Sequence, residues 1–254
     1  MTDPHPQQSA TPLVLLHAFP LTSAMWRGQL DGSLAGARVL APDLRGFDGS
    51  PPPPGVPSLE HWVDDLARLL DAAGLERAVV GGLSMGGYLA LAFARRHPDR
   101  LAGLLLADTK ASADTEAARA NRERIASAVL ARRSVALLAE ERMEDTLLGP
   151  DAGPRLLAEV RGMVAAADPR AVAWAQRAMA ARGESFQVLA GLRVPVAVVV
   201  GERDAITPVT DDEAMVAALP AAELTVVAAA GHLSALEAPA AFNAAVLALL
   251  RRVD

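Results

Sequence analysis

The chain has 254 residues, of which 52% are apolar, a net charge of −6 and no cysteine. This length and apolar content fit one large globular domain, or a domain carrying an insertion, and exclude a disordered chain. The charge is modest and the arginines are scattered (Arg95-Arg96, Arg132-Arg133, Arg251-Arg252), which argues against a nucleic-acid partner; the missing cysteines exclude disulfides, thiolate metal sites and a thiol nucleophile.

The chain opens with MTDPHPQQSATP, polar and proline-rich and without the apolar core of a signal peptide, so residues 1–12 are expected to form a flexible tail. Apolar runs then follow at 13–17 (LVLLH), 38–42 (RVLAP), 78–82 (AVVGG), 101–107 (LAGLLLA), 194–200 (VPVAVVV) and 223–228 (ELTVVA). Their residues are apolar in succession instead of alternately, as in strands covered on both faces. None is long enough to span a bilayer, and a cytoplasmic protein without membrane contact is expected.

Between these runs, 58–74 places Leu59, Trp62, Val63, Leu66, Leu69 and Leu70 on one helical face, with Ser58 as N-cap and Gly74 as stop. Segments 85–97 and 237–251 read as further helices. The alternation predicts an α/β fold, a mainly parallel sheet of about six strands with helices on both faces. From 111 to 185 the rhythm breaks. Only helical stretches appear there (113–132, 134–147, 153–167, 169–182), punctuated by Gly149-Pro150 and Asp168-Pro169. They are expected to form a helical lid inserted into a core made of 13–110 and 186–254. Lid residues Met143, Met163, Trp174 and Met179, and Tyr88 from the core, either pack the interior or line a substrate pocket.

Ligands of a parallel sheet bind beyond the carboxyl ends of its strands, so what each strand delivers there is informative. The run 78–82 leads into Gly82-Leu83-Ser84-Met85-Gly86, the pattern of a sharp strand-to-helix turn that exposes a serine hydroxyl. The run 194–200 leads into Gly201-Glu202-Arg203-Asp204, and the last run into Gly231-His232. Serine needs a base to become a nucleophile, which His232 supplies; Asp204 then holds the imidazole in one tautomer and stabilises its cation. Asp108, at the end of 101–107, is a competitor for the acid role, and Asp204 is preferred for its Gly-x-x-Asp loop. The first run ends in His17-Ala18-Phe19-Pro20. The backbone N–H groups of Phe19 and Met85 are the candidate oxyanion donors, with His17 orienting the loop.

LLHAFP, APDLRGFDGS, GLSMGG, LLLADT, VVVGERDAITP and GHLSALEAP together resemble the α/β-hydrolase fold family, in the branch of lid-bearing esterases, enol-lactonases and cofactor-free perhydrolases. The resemblance runs from about Leu13 to Leu250. It implies a Ser84–Asp204–His232 triad, no cofactor or metal, and hydrolysis through an acyl-enzyme. The chain departs from the family at Ala18 and at Asp48, where glycine is usual, and it lacks residues for a hairpin before the first strand. The expected function is a serine hydrolase acting on a small or medium carboxylic ester. Lactonase, thioesterase, C–C hydrolase and perhydrolase share the triad and stay open, as does, from another class, a non-catalytic small-molecule receptor. The expected partner is a small ester or related acyl compound; homo-oligomer formation is left open.

Overall fold

A computed structural model describes residues 11–34, 36–219 and 221–253. The tail expected over 1–12 therefore lies outside the described residues except for Thr11 and Pro12. Six strands form one sheet: β1 (Leu13–Leu16), β2 (Val39–Leu40), β3 (Ala78–Leu83), β4 (Leu101–Ala107), β5 (Val196–Gly201) and β6 (Ala222–Val227). Every neighbouring pair is parallel, in the order β2-β1-β3-β4-β5-β6. All residues of β1, β3, β4 and β5 are buried. Since successive side chains point to opposite faces, both faces must be covered. This is why these runs read as continuously apolar.

The helices are α1 (Arg27–Leu30), α2 (Leu59–Ala72), α3 (Met85–Arg96), α4 (Glu116–Arg132), α5 (Ala136–Glu140), α6 (Met143–Leu147), α7 (Pro154–Ala166), α8 (Pro169–Ala180), α9 (Phe186–Gly191), α10 (Val209–Ala218), α11 (Ser234–Glu237) and α12 (Pro239–Val253). α3 packs with α2 and against β1, β3 and β4, while α12 covers β4, β5 and β6. α2 begins as its sequence requires: the Ser58 side chain accepts from the Glu60 N–H, and Gly74 just beyond its end has φ +66°. α8 is capped in the same way by Asp168, with Pro169 in its first turn.

Helices α4 to α9 all lie between β4 and β5, and α4 and α8 pack on each other. The helix expected over 134–147 is two short helices, because Arg142 takes a left-handed φ of 53° between α5 and α6. The helix expected from 237 begins earlier, as the short α11, and resumes as α12 after Ala238. α10 has no amphipathic stripe in its sequence VTDDEAMVAA, and periodicity misses it.

Stepping from β2 through β1 to β3 reverses the direction in which strands are added. Such a reversal opens a crevice at the strand carboxyl ends. The loop after β1 and the turn after β3 meet there.

Candidate active site

β3 runs straight into α3 through Ser84, whose backbone sits at φ 56° and ψ −112°, a region L-residues rarely occupy. The turn is held by hydrogen bonds from the Ser84 N–H to the Ala107 carbonyl (2.9 Å) and from Thr109 Oγ1 to the Ser84 carbonyl (2.9 Å). Close approach, not backbone dihedral, dictates its glycines. A Cβ on Gly86 would lie 2.0 Å from the Leu16 carbonyl oxygen, and one on Gly87 2.5 Å from Thr109 Oγ1.

β5 and β6 deliver the other two residues. Asp204 and His232 are buried, and His232 Nδ1 lies 2.7 Å from Asp204 Oδ2. Asp204 is held on its other side. Its Oδ1 accepts the N–H groups of Ile206 (2.8 Å) and Thr207 (3.0 Å), and its Oδ2 accepts the Thr207 hydroxyl (2.8 Å). Burial pushes the Asp204 carboxyl up, but its bonds to His232 and Thr207 win and hold it below the ordinary carboxylate range. His232 Nε2 is buried and has no partner among the described residues. Ser84 and His232 both line a cavity of about 260 Å³ walled by Phe19 and Ile206 from the core and by α4, α6 and α8.

Asp108 does not reach the histidine. It is fully buried, with φ 44°; its Oδ1 accepts the Gly201 N–H at 2.8 Å and its Oδ2 accepts the Ser234 hydroxyl. Burial, and next the charge of Asp204, push its carboxyl well above the usual range. Asp108 thus ties the ends of β4 and β5 to the residues just after His232.

His17 is buried between two loops: Nδ1 lies 3.0 Å from the Ala18 carbonyl and Nε2 accepts the Leu44 N–H at 3.1 Å. Burial lowers its pKa to about 4, so it stays neutral. The N–H of Ala18 reaches the sulfur of Met25 (3.1 Å). The N–H groups of Phe19 and Met85 have no hydrogen-bond partner among the described residues, and Met85 opens α3, where the helix dipole favours an anion. Asp48, at a position where the resemblance implies glycine, does not take a positive φ. Its Oδ1 accepts the N–H groups of Gly46 (3.1 Å) and Ser50 (2.9 Å), making the turn itself.

Of the residues expected to lie in a lid, Met143 and Met179 line the cavity together with Tyr88, which precedes them in α3. Trp174 and Met163 do not. Trp174 packs edge-on against Trp62, with ring centroids 4.5 Å apart, and fastens α8 to α2; Met163 on α7 packs, half-buried, against the core. Three contributors went unread in the sequence. Thr207 follows Asp204 at the spacing of a side-chain-capped turn. Glu237 Oε1 accepts the N–H groups of Gly231 (3.0 Å) and Leu233 (3.3 Å), and its Oε2 accepts that of Gly149 (2.8 Å). A lone carboxylate in the mostly small and apolar SALEAP was the available signal. The third, Arg122, lines the cavity from α4.

A profile of the alpha/beta hydrolase family matches residues 13–245. The chain belongs to that family. This alpha/beta hydrolase superposes on a malate-bound thermophilic esterase from Thermogutta terrifontis with a TM-score of 0.92 and 41% identity, covering 96% of this chain and 91% of the other. Over shorter stretches it is 41% identical to epoxide hydrolase 3 of Xenopus tropicalis (37% of this chain, 26% of the relative). It is also 39% identical to 2-hydroxy-6-oxo-2,4-heptadienoate hydrolase of Pseudomonas putida (41% and 40%). The chain thus spans well under half of these two curated relatives. No helix among the described residues is long and apolar enough to cross a membrane, and they hold no cluster of metal-binding side chains.

Proposed function

We propose that the chain is a serine hydrolase that cleaves a small or medium carboxylic ester through an acyl-enzyme. The observation that carries this reading is the His232 imidazole, fixed by Asp204 at 2.7 Å on Nδ1 and unpartnered at Nε2, in the cavity that Ser84 lines. Ser84 Oγ attacks the acyl carbon while its proton passes to His232 Nε2. The carbonyl oxygen becomes an anion that the N–H groups of Phe19 and Met85 receive. Collapse breaks the C–O bond, and the alcohol leaves with the proton from His232. Water then gives a proton to His232 and attacks the acyl carbon; Ser84 departs, taking that proton back, and the acid is released. Asp204 stabilises the imidazolium in both halves.

Helices α4, α6 and α8 act as a lid that shapes the pocket, and its size suits a compact acyl chain. Epoxide opening does not suit this nucleophile. A serine attacking a saturated carbon would leave an ether that water does not hydrolyse under these conditions, whereas a carboxylate would leave a cleavable ester. Rates on a panel of nitrophenyl esters, lactones, acyl-thioesters and vinylogous diketones, with wild-type and Ser84→Ala protein, test the reading. Ester turnover abolished by Ser84→Ala is expected. Turnover that survives the substitution contradicts it, and a preference for the diketone would move the assignment to C–C cleavage.

A further inference from the structure

The cavity beside Ser84 is lined mainly by apolar and neutral polar side chains, yet one wall carries a cation, and no carboxylate among the described residues lines it. Arg122 donates from Nε to Asp114 and from Nη1 to Gln176 Oε1 (3.0 Å), and its Nη2 has no partner among the described residues. Asp114 also receives Arg182, at 2.7 Å, and the Arg182 guanidinium carbon sits 3.9 Å from the centre of the Tyr88 ring. The Asp114 and Arg182 side chains are 1% and 6% exposed and that of Arg122 is 20% exposed, so Arg122 is the open member of the group.

Two guanidiniums therefore share one carboxylate, which leaves one unit of positive charge in a largely buried cluster. Burial is the largest influence on the Tyr88 hydroxyl and raises its pKa; Arg182 and Arg122 lower it, and the charges of Asp114 and Asp211 raise it, so Tyr88 on the cavity wall lies within reach of the group. An unbalanced charge removed from water is costly unless a counter-charge completes it. A guanidinium is matched in shape by a carboxylate.

Resting on the ester-hydrolase reading, we propose that the preferred substrate is a monoester of a short dicarboxylic acid, whose free carboxylate docks on Arg122 while its ester carbonyl meets Ser84. Arg122 then acts in substrate selection and takes no part in the proton transfers.

The test compares kcat/KM for 4-nitrophenyl hydrogen glutarate with that for the neutral 4-nitrophenyl pentanoate, in wild-type, Arg122→Gln and Arg122→Lys proteins. Arg182 still neutralises Asp114 in both variants, and their melting curves report folding. The wild-type protein is expected to favour the anionic ester by about tenfold or more. Arg122→Gln removes that preference, chiefly through KM, and Arg122→Lys restores part of it. A wild-type ratio near one, or a ratio that Arg122→Gln leaves in place, overturns the proposal while the ester-hydrolase reading stands. If neither ester is turned over, that reading fails, and calorimetric titration with glutarate decides the anion site alone. Binding that Arg122→Gln abolishes supports the site; no binding to the wild-type protein overturns it.

Discussion

Gly82 and Gly86 stand so close that a Cβ on Gly82 would fall 2.1 Å from the Gly86 carbonyl oxygen. Neither has a positive φ, so the contact alone forbids a side chain. The close approach lets β3 turn into α3 within one residue and forces the Ser84 backbone to φ 56°. Gly86→Ala would press a methyl against the Leu16 carbonyl oxygen at 2.0 Å, backbone that cannot rotate away. It is expected to destabilise the protein by about 3 kcal/mol or more, read as a fall in the urea midpoint. Gly162→Ala, where a Cβ meets nothing within 4 Å, is the control and should not destabilise.

Asp204 and Asp108 are both buried carboxylates at strand ends, but only Asp204 touches His232. Asp204→Asn leaves the imidazole without its anionic partner and should lower kcat by about 10³–10⁴-fold. Asp108→Asn keeps an acceptor for the Gly201 N–H, reverses the Ser234 bond so that the amide donates to the hydroxyl, and matches the neutral form that burial favours. Its kcat should fall less than about tenfold. Steady-state kinetics of the pair checks the assignment, and a larger loss at Asp108 would reverse it.

Most of the fold was legible because buried parallel strands write unbroken apolar runs. β3 and β4 fall within one residue of their expected bounds. Ser84, Asp204 and His232 were legible for a related reason: Ser84 follows its run at once, and Asp204 and His232 lie a few residues past the ends of theirs. What was not legible depends on partners distant in sequence. Nothing local shows that Trp174 packs on Trp62 instead of facing the cavity, or that Glu237 binds the Gly149 N–H. Met163 and Trp174 have the composition of pocket residues, but helix rotation within the insertion turns them elsewhere. Asp48 read as a departure from the usual glycine because its side chain's own hydrogen bonds were invisible.

Glu237 joins the loop before α11, which bears His232, to the residues after α6 through three backbone N–H groups. Glu237→Ala leaves those donors without an acceptor and should lower the unfolding free energy by about 2–4 kcal/mol. Because His232 lies between two of them, kcat should fall more than KM rises. Loss of stability with kcat unchanged would show the link to be structural only.

Two buried groups set opposite pH dependences. His17 stays neutral down to about pH 4, whereas the unfolded chain protonates it from about 6.5. The unfolded state then binds the extra proton, so this contribution to stability is lost as pH falls from 6.5 to 4. Asp212 on α10 has both carboxylate oxygens buried without a hydrogen-bond partner among the described residues, and burial, then the charges of Asp108 and Asp204, push it up to about 9. It keeps its proton while the unfolded chain releases one above about 3.8, so stability falls as pH rises from there to 9. Urea midpoints should show Asp212→Asn gaining on the wild-type protein from pH 5 to pH 8, and His17→Gln gaining on it from pH 7 to pH 5. An unchanged gap in either series contradicts the corresponding assignment.

The whole proposed reaction depends on Ser84 as the nucleophile and His232 as its base. Peptide mapping by mass spectrometry after treatment with a fluorophosphonate tests it most directly, in wild-type and His232→Ala proteins. One equivalent of label on the peptide containing Ser84, formed far more slowly in His232→Ala, is the predicted result. Label on another residue, or an unlabelled Ser84 in protein that still hydrolyses esters, would contradict it.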